Sequence, residues 1–310
     1  MKKLSLLFLV LLAMSASAQN KQIKKVPVDS LAKVKKIIIS ENLPKHEQEL
    51  QALFNRLLKE DTNDSMRIAI NEEIRTKLHA SLRERGSFLY GFDSLSSLGK
   101  IYSNDYNLRI YTWACELEDL SYRFYGFIQD FDDEKIYPLM QNSAVYLPAP
   151  DRPIAFNRWY GALYYNAIKV QSGDFPVYIL LGWSQPNPNT KMKVMDVLDF
   201  GNERLVLGSP IFKGIAKKGK DYRLLFTYCS ELNMSLNYEE KQKRFVFDHL
   251  TPMTTDRGTN PATGETITEN RGCNGPDMSY DALQQKRKNW FSKKFIWVLK
   301  RDVNVTNDFD

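Results

Sequence analysis

Arg223-Leu224-Leu225-Phe226-Thr227-Tyr228-Cys229, then Leu232-Asn233-Met234-Ser235-Leu236-Asn237-Tyr238, then, after a turn at Glu239 to Gln242, Lys243-Arg244-Phe245-Val246-Phe247-Asp248-His249-Leu250: this run decides the fold. From Leu232 to Tyr238 apolar and polar side chains alternate without a break. A period of two is the signature of a strand with one buried face. The polar turn then reverses into a second apolar and aromatic run, so the stretch reads as antiparallel strands joined by a tight connection.

The same pattern extends through most of the chain. Ile101 to Ser103 and Leu108 to Trp113 flank Asn104-Asp105-Tyr106-Asn107, a stretch of turn formers. Tyr122 to Gln129, Gly161 to Val170, Pro176 to Trp183 and Lys191 to Phe200 follow, and Phe295 to Leu299 reads as the last strand. Strands succeed one another without crossover helices, which argues against a parallel sheet. The expectation is a large antiparallel β meander, closed as a sandwich or an open barrel.

Before Gly86 the period is helical. Leu50, Leu53, Phe54, Leu57 and Leu58 make one apolar stripe behind Pro44, a residue tolerated at a helix start. Asp64 or Ser65 can cap a second helix, in which Met66, Ile70, Ile74, Leu78 and Leu82 recur every four residues. Two such helices with a short link predict an antiparallel hairpin. A short lysine-rich helix is also expected over 29–40. The fold class is therefore α+β, with a helical region over 19–86 and an antiparallel β-rich domain over 87–310. Ser87 to Asp93 shows commitment to neither pattern and reads as a separable seam.

Residues 1–18 have the form of a cleavable signal peptide: Lys2 and Lys3, an apolar run from Leu4 to Met14, and the small residues Ala16-Ser17-Ala18. That run is far shorter than the ~20 residues of a membrane-spanning helix, and no transmembrane span is expected after cleavage. The protein is expected to be exported to the periplasm or cell envelope, or secreted, and to begin at Gln19. Losing Lys2 and Lys3 takes 43 basic side chains to 41 against 37 acidic, lowering the net charge from +6 to +4. That balance argues against a nucleic-acid partner. Three cysteines, Cys115, Cys229 and Cys273, leave one bridge in any of three pairings, or none, equally open.

Candidate chemistry is sparse. Asp248-His249 is an acid–histidine neighbour pair, but adjacent strand residues face opposite ways and cannot share a site. His79 shares a helical face with Arg75 and Arg83 and is read as solvated. Asp130-Phe131-Asp132-Asp133-Glu134 lacks the glycine and distal glutamate of a calcium loop and reads as a solvated turn. The cysteines are too far apart for zinc spacing, so neither metal nor cofactor is implied. Asp196 and Glu231 are candidate carboxylates for a glycosidase, without a spacing that prefers them. The lysines at 213–220 and 286–294, the latter beside Trp290 and Phe291, read as strand-edge charge that discourages aggregation. Thr251 to Asp281, rich in Pro and Gly, reads as a long loop, the better candidate for a lid or binding loop. The aromatic density at Trp159, Tyr160, Tyr164 and Trp183 is the most suggestive feature, because sugar rings stack on flat aromatic faces.

Several strings together, Trp159-Tyr160-Gly161-Ala162-Leu163-Tyr164-Tyr165, Leu180-Leu181-Gly182-Trp183, Phe247-Asp248-His249-Leu250 and Gly275-Pro276-Asp277-Met278-Ser279-Tyr280-Asp281, resemble an exported β-rich family of Gram-negative bacteria. The resemblance spans roughly residues 88 to 300. It implies an envelope location and brings no activity, cofactor or site residue with it. The preferred expectation is a non-enzymatic binding or scaffold module, with an envelope or dietary glycan or an envelope protein as partner. A hydrolase acting on glycan or cell-wall material is the second reading. An assembly or chaperone partner that grips through the helical hairpin is the third.

Overall fold

The computed structural model describes residues 38–59, 62–132, 134–141, 150–172, 175–201, 205–213, 215, 221–259, 263, 266–287 and 295–304. The expected leader, most of the lysine-rich stretch at 29–40, the lysines at 217–220 and Trp290-Phe291 lie outside them.

Two helices open the described chain. Pro44 sits in the first turn of α1 (Leu43–Leu57), which buries Leu43, Leu50 and Phe54. Leu58, expected on the stripe, is exposed beyond the helix end. The cap of α2 (Asp64–Leu82) is Asn63, not Asp64 or Ser65: its backbone is extended and its side chain accepts the Met66 amide at 2.9 Å. Ser40–Glu84 and Arg56–Glu73 pair at 2.6 and 3.1 Å, and Glu49 meets Lys77. The order of these contacts makes the helices an antiparallel hairpin, as the periodicity predicts.

The strands form three sheets. The first is a meander in the order β1 (Gly99–Tyr102), β2 (Leu108–Glu116), β3 (Tyr122–Asp130), β4 (Ile136–Met140). The second runs β5 (Ile154–Ala155), β9 (Val206–Leu207), β8 (Thr190–Asp199), β7 (Phe175–Asn187), β6 (Leu163–Ser172), with β11 (Leu224–Cys229) also on β8. The third runs β10 (Phe212–Lys213), β15 (Phe295–Lys300), β14 (Thr266–Arg287), β13 (Arg244–Thr259), β12 (Leu236–Glu239). Between the named strands pairing is antiparallel except for the short β10–β15 contact. Among the described residues the order in each sheet is open, so the sheets stack and do not close into a barrel.

Alternation within single strands builds the stack. On β2, Leu108 and Ile110 face sheet two with Phe124 and Ile128, while Tyr111, Trp113 and Cys115 face the helices with Tyr125 and Phe127. On β8, Met192, Val194 and Leu198 face sheet one, and Met195 and Val197 join Phe245, Phe247, Leu283 and Trp297 of sheet three. Helices, sheet one, sheet two and sheet three are thus successive layers with a core in each gap. Sheets covered on both sides have near-continuous buried runs, as β2 and β8 do.

Two expectations are corrected. The change of character at Gly86 is a change of secondary structure across a shared core, since α1 and α2 bury their stripes against Trp113 and Phe127. Ser87, Phe88 and Phe92 are buried, so the seam is committed. The described part of Thr251 to Asp281 is no loop: 251–259 and 266–281 form the distal halves of β13 and β14, which pair with each other as a two-stranded arm. A Cys229–Cys273 disulfide ties this arm to β11, and Cys115 is a buried free thiol.

Candidate functional site

Of the aromatic string singled out in the sequence, Trp159, Tyr160 and Tyr164 are core, and Trp183 lies at its edge. Trp159 is 0% exposed, Tyr160 and Tyr164 are buried, and Trp183 is half-buried against Tyr122 and Phe124. Gly161, at φ +92°, lets the chain lie flat against Phe124, where a Cβ would strike the ring. Trp159 Nε1 donates to Tyr164 Oη at 3.0 Å, and Tyr160 Oη donates to Asp196 Oδ2 at 2.9 Å. Asp196 in turn meets the fully buried Arg223 at 3.4 Å, and that guanidinium donates to the carbonyls of Leu207 and Arg152 at 2.6 and 3.0 Å. Burial raises the pKa of Asp196 against the pull of Arg223, and raises those of Tyr160 and Tyr164. A ring without an exposed face cannot stack on a sugar, so Trp159, Tyr160 and Tyr164 offer no platform. This network satisfies buried polar groups and pins surface segments to sheet two.

The carboxylates Asp196 and Glu231 do not face one site either: Asp196 is sealed in the core, and Glu231 is exposed and paired with Arg271. Asp248 and His249 separate as their strand geometry requires. Asp248 accepts the Ser235 amide and hydroxyl, each at 2.8 Å. His249 Nδ1 lies 2.9 Å from Oδ2 of Asp281, a partner 32 residues away, with Arg301 at 3.6 Å from the same oxygen. His79 is half-buried, not fully solvated: it stacks on Phe127 at 5.5 Å, and burial together with Arg83 and Arg75 lowers its pKa.

An open cleft of about 250 Å³ lies where sheets one and two meet. Asn104 joins the sheets there: its amide donates to the Ala167 carbonyl at 3.0 Å, and its Oδ1 accepts the Lys169 amide at 2.8 Å. That tie sets the β1–β2 turn beside the β6–β7 hairpin. Its lining combines the apolar Leu108, Phe175 and Phe200 and the ring of Tyr178 with the polar Asn107, Asp130, Asp132 and Lys169. Phe175 is 68% exposed, a phenyl ring held out at the start of β7.

The polar lining is ordered by its own hydrogen bonds. Asn107 Nδ2 donates to Asp132 Oδ2 at 3.0 Å, and the Asp132 amide donates to Asp130 Oδ1 at 3.0 Å. Lys169 Nζ sits 2.7 Å from Asp105 Oδ2, which also accepts from Tyr178 Oη at 3.0 Å. Burial pushes the Asp105 carboxyl up, but hydrogen bonds from Lys169 and Ser103 outweigh it and hold the group below its usual range. Exposed apolar surface beside fixed acceptors is an arrangement for binding a polar ring. Asp130 and Asp132 belong to the acidic stretch that the sequence presents as a solvated turn; Phe175 and the assembly of the cleft were missed, because its residues come from separate stretches.

Among the described residues no group of three metal-ligating side chains occurs, and no helix is long and apolar enough to cross a membrane. No family model, no curated protein and no solved structure matches the chain.

Proposed function

We propose that the protein is an exported, non-enzymatic binding module of the cell envelope that takes a sugar unit of an envelope or dietary glycan in the cleft between sheets one and two. The observation that carries this reading is that the exposed Phe175 ring and the polar side chains of Asn107 and Asp132 line one open cleft of about 250 Å³. That space approaches the roughly 300 Å³ of the smallest ligand pockets. The disulfide suits an oxidising compartment. The hairpin reading loses support, because the apolar stripes a partner would grip are spent on sheet one.

The test is Phe175→Ala on a glycan panel. An exposed ring contributes little to the core, so its loss should leave the melt within about 0.5 kcal/mol of the parent. Binding to the recognised glycan should fall about tenfold, the scale of one aromatic contact. Unchanged binding would exclude this cleft.

A further inference from the structure

Three lysines from separate strands converge on the outer face of sheet three, the last layer of the stack. On β15, Trp297 and Leu299 point into the core shared with sheet two, so Ile296, Val298 and Lys300 point outward. Phe212 of β10 and Leu283 of β14 belong to the same core, which turns Lys213, Gln284 and Lys286 outward. The registers set Lys213 and Gln284 on either side of Val298, and Lys286 beside Ile296. On strand spacing alone the three lysines stand roughly 8–14 Å apart, around an aliphatic centre of Ile296 and Val298.

All three are exposed, and among the described residues none has an ion-pair partner. No acidic residue occurs in 212–213, 282–287 or 295–300. Toward β12 the face turns neutral, because Arg244 pairs with Glu239. Edge protection, expected of Lys213 and Lys286, fits Lys213 alone: β10 is an edge strand, whereas β14 and β15 lie inside the sheet order. Like charge gathered on one face repels itself and attracts an anionic partner. The shape of the patch selects that partner. The charge is spread over a sheet face, Ile296 and Val298 are part-exposed at its centre, and no aromatic ring points outward from 282–287 or 295–300. A lipid surface matches this arrangement: lysine stems lie along aliphatic surface while the ammonium groups reach phosphate. We propose that the outer face of sheet three docks the protein on an anionic phospholipid surface, with Lys213, Lys286 and Lys300 on the headgroup phosphates and Ile296 and Val298 against the acyl boundary. The cleft between sheets one and two takes no part in this contact, so the two activities are separable.

Co-sedimentation of the intact mature protein with vesicles tests this. The probes are phosphatidylcholine alone and phosphatidylcholine mixed with phosphatidylglycerol at about 2:1, an anionic surface. Each lysine at such a surface contributes about fivefold in affinity. Lys300→Gln should therefore bind the anionic vesicles about fivefold more weakly, and the triple variant of Lys213, Lys286 and Lys300 to Gln about 100-fold more weakly. Neutral vesicles should bind neither. Raising salt from about 0.1 M to about 1 M, which cuts the screening length from about 10 Å to about 3 Å, should release the parent. Lys45→Gln removes one charge from α1 in the first layer and should bind as the parent does. Equal binding to neutral vesicles, no binding to anionic ones, or a triple variant that binds as Lys45→Gln does overturns the proposal. If oligogalacturonate binds with the same lysine dependence and vesicles do not, the face takes an anionic glycan and the lipid assignment falls. Glycan binding at the cleft is measured separately, through Phe175, and survives any of these results.

Discussion

The guanidinium of Arg109, on the face of β2 that looks toward the helices, donates to the carbonyl of Phe88 at 2.9 Å. It also donates to Ser87 and Gly91 at 3.3 and 3.1 Å and to Tyr90, and it lies over the rings of Tyr102 and Tyr111 at 4.7 and 5.0 Å. One buried charge therefore holds the whole turn that leads from the helices into the sheets.

Arg109→Ala would take the donor from the part-buried carbonyls of Tyr90 and Gly91, while Ser87 and Phe88 keep the Tyr90 amide and the Tyr102 hydroxyl. Losing charge-assisted hydrogen bonds of this kind costs roughly 1.5–3 kcal/mol. Limited proteolysis of the parent should spare 87–93, and the variant should be nicked there. A chain begun at Ser87 should fail to hold native strand content, because it strips the helices from Trp113 and Phe127. A stable, well-dispersed fragment from Ser87 onward would refute the shared core.

How far the sequence reaches is clear from particular residues. Helices α1 and α2 and the strands from Tyr122, Pro176, Lys191 and Arg223 were legible because each carries a full period of apolar residues. β14, the longest strand, was not. Its distal half, Thr266 to Asp277, has polar residues on both faces and Gly and Pro within it, and it pairs only with β13. Nothing local distinguishes such a ribbon from a loop. The seam was misread for a similar reason: Arg109 lies about twenty residues from the carbonyls it holds, and reads as one polar residue in a strand. The cleft draws on 107–108, 130, 132, 169, 175–176, 178 and 200, so no spacing rule could have assembled it. The aromatic cluster was visible, but burial in the gap between sheets, and not composition, decides whether a ring is core or platform.

The disulfide provides a test of both compartment and stability. Cys229 and Cys273 close a loop with a sequence separation of 44. On the chain-entropy account such a bridge contributes about 4 kcal/mol. Protein recovered from the exported fraction should begin at Gln19, carry the Cys229–Cys273 peptide cross-link, and keep Cys115 as a thiol that reacts only after unfolding. Cys273→Ala, or reduction, should lower the unfolding midpoint substantially. Exported protein that retains Met1, or that carries three titratable thiols in the native state, would contradict the assignment.

Lys193 supplies a pH test that no sequence feature announced. It lies on β8, is 3% exposed, and places Nζ 4.5 Å over the ring of Tyr165. Burial lowers its pKa to about 8, with the charge of Asp248 working in the opposite direction. Between pH ~8 and its unfolded value near 10.4, the unfolded chain keeps a proton that the folded chain releases. The unfolded state then binds more protons, so stability rises with pH in that window. Below pH ~8 both states are charged, and the full burial penalty, about 3 kcal/mol, is present. Above pH ~10 the trend reverses, because burial pushes Tyr122 and Tyr228 up to about 12 and the unfolded tyrosines ionise first. Denaturant titrations from pH 7 to 10 should therefore show a gain of roughly 2 kcal/mol in the parent. Lys193→Met keeps the length of the side chain and removes the charge. It should be more stable than the parent at pH 7 by roughly 1–3 kcal/mol and lose the rise between pH 8 and 10. A parent curve that is flat over that range, or an equal slope in the variant, would mean that the Lys193 ammonium is not held out of water.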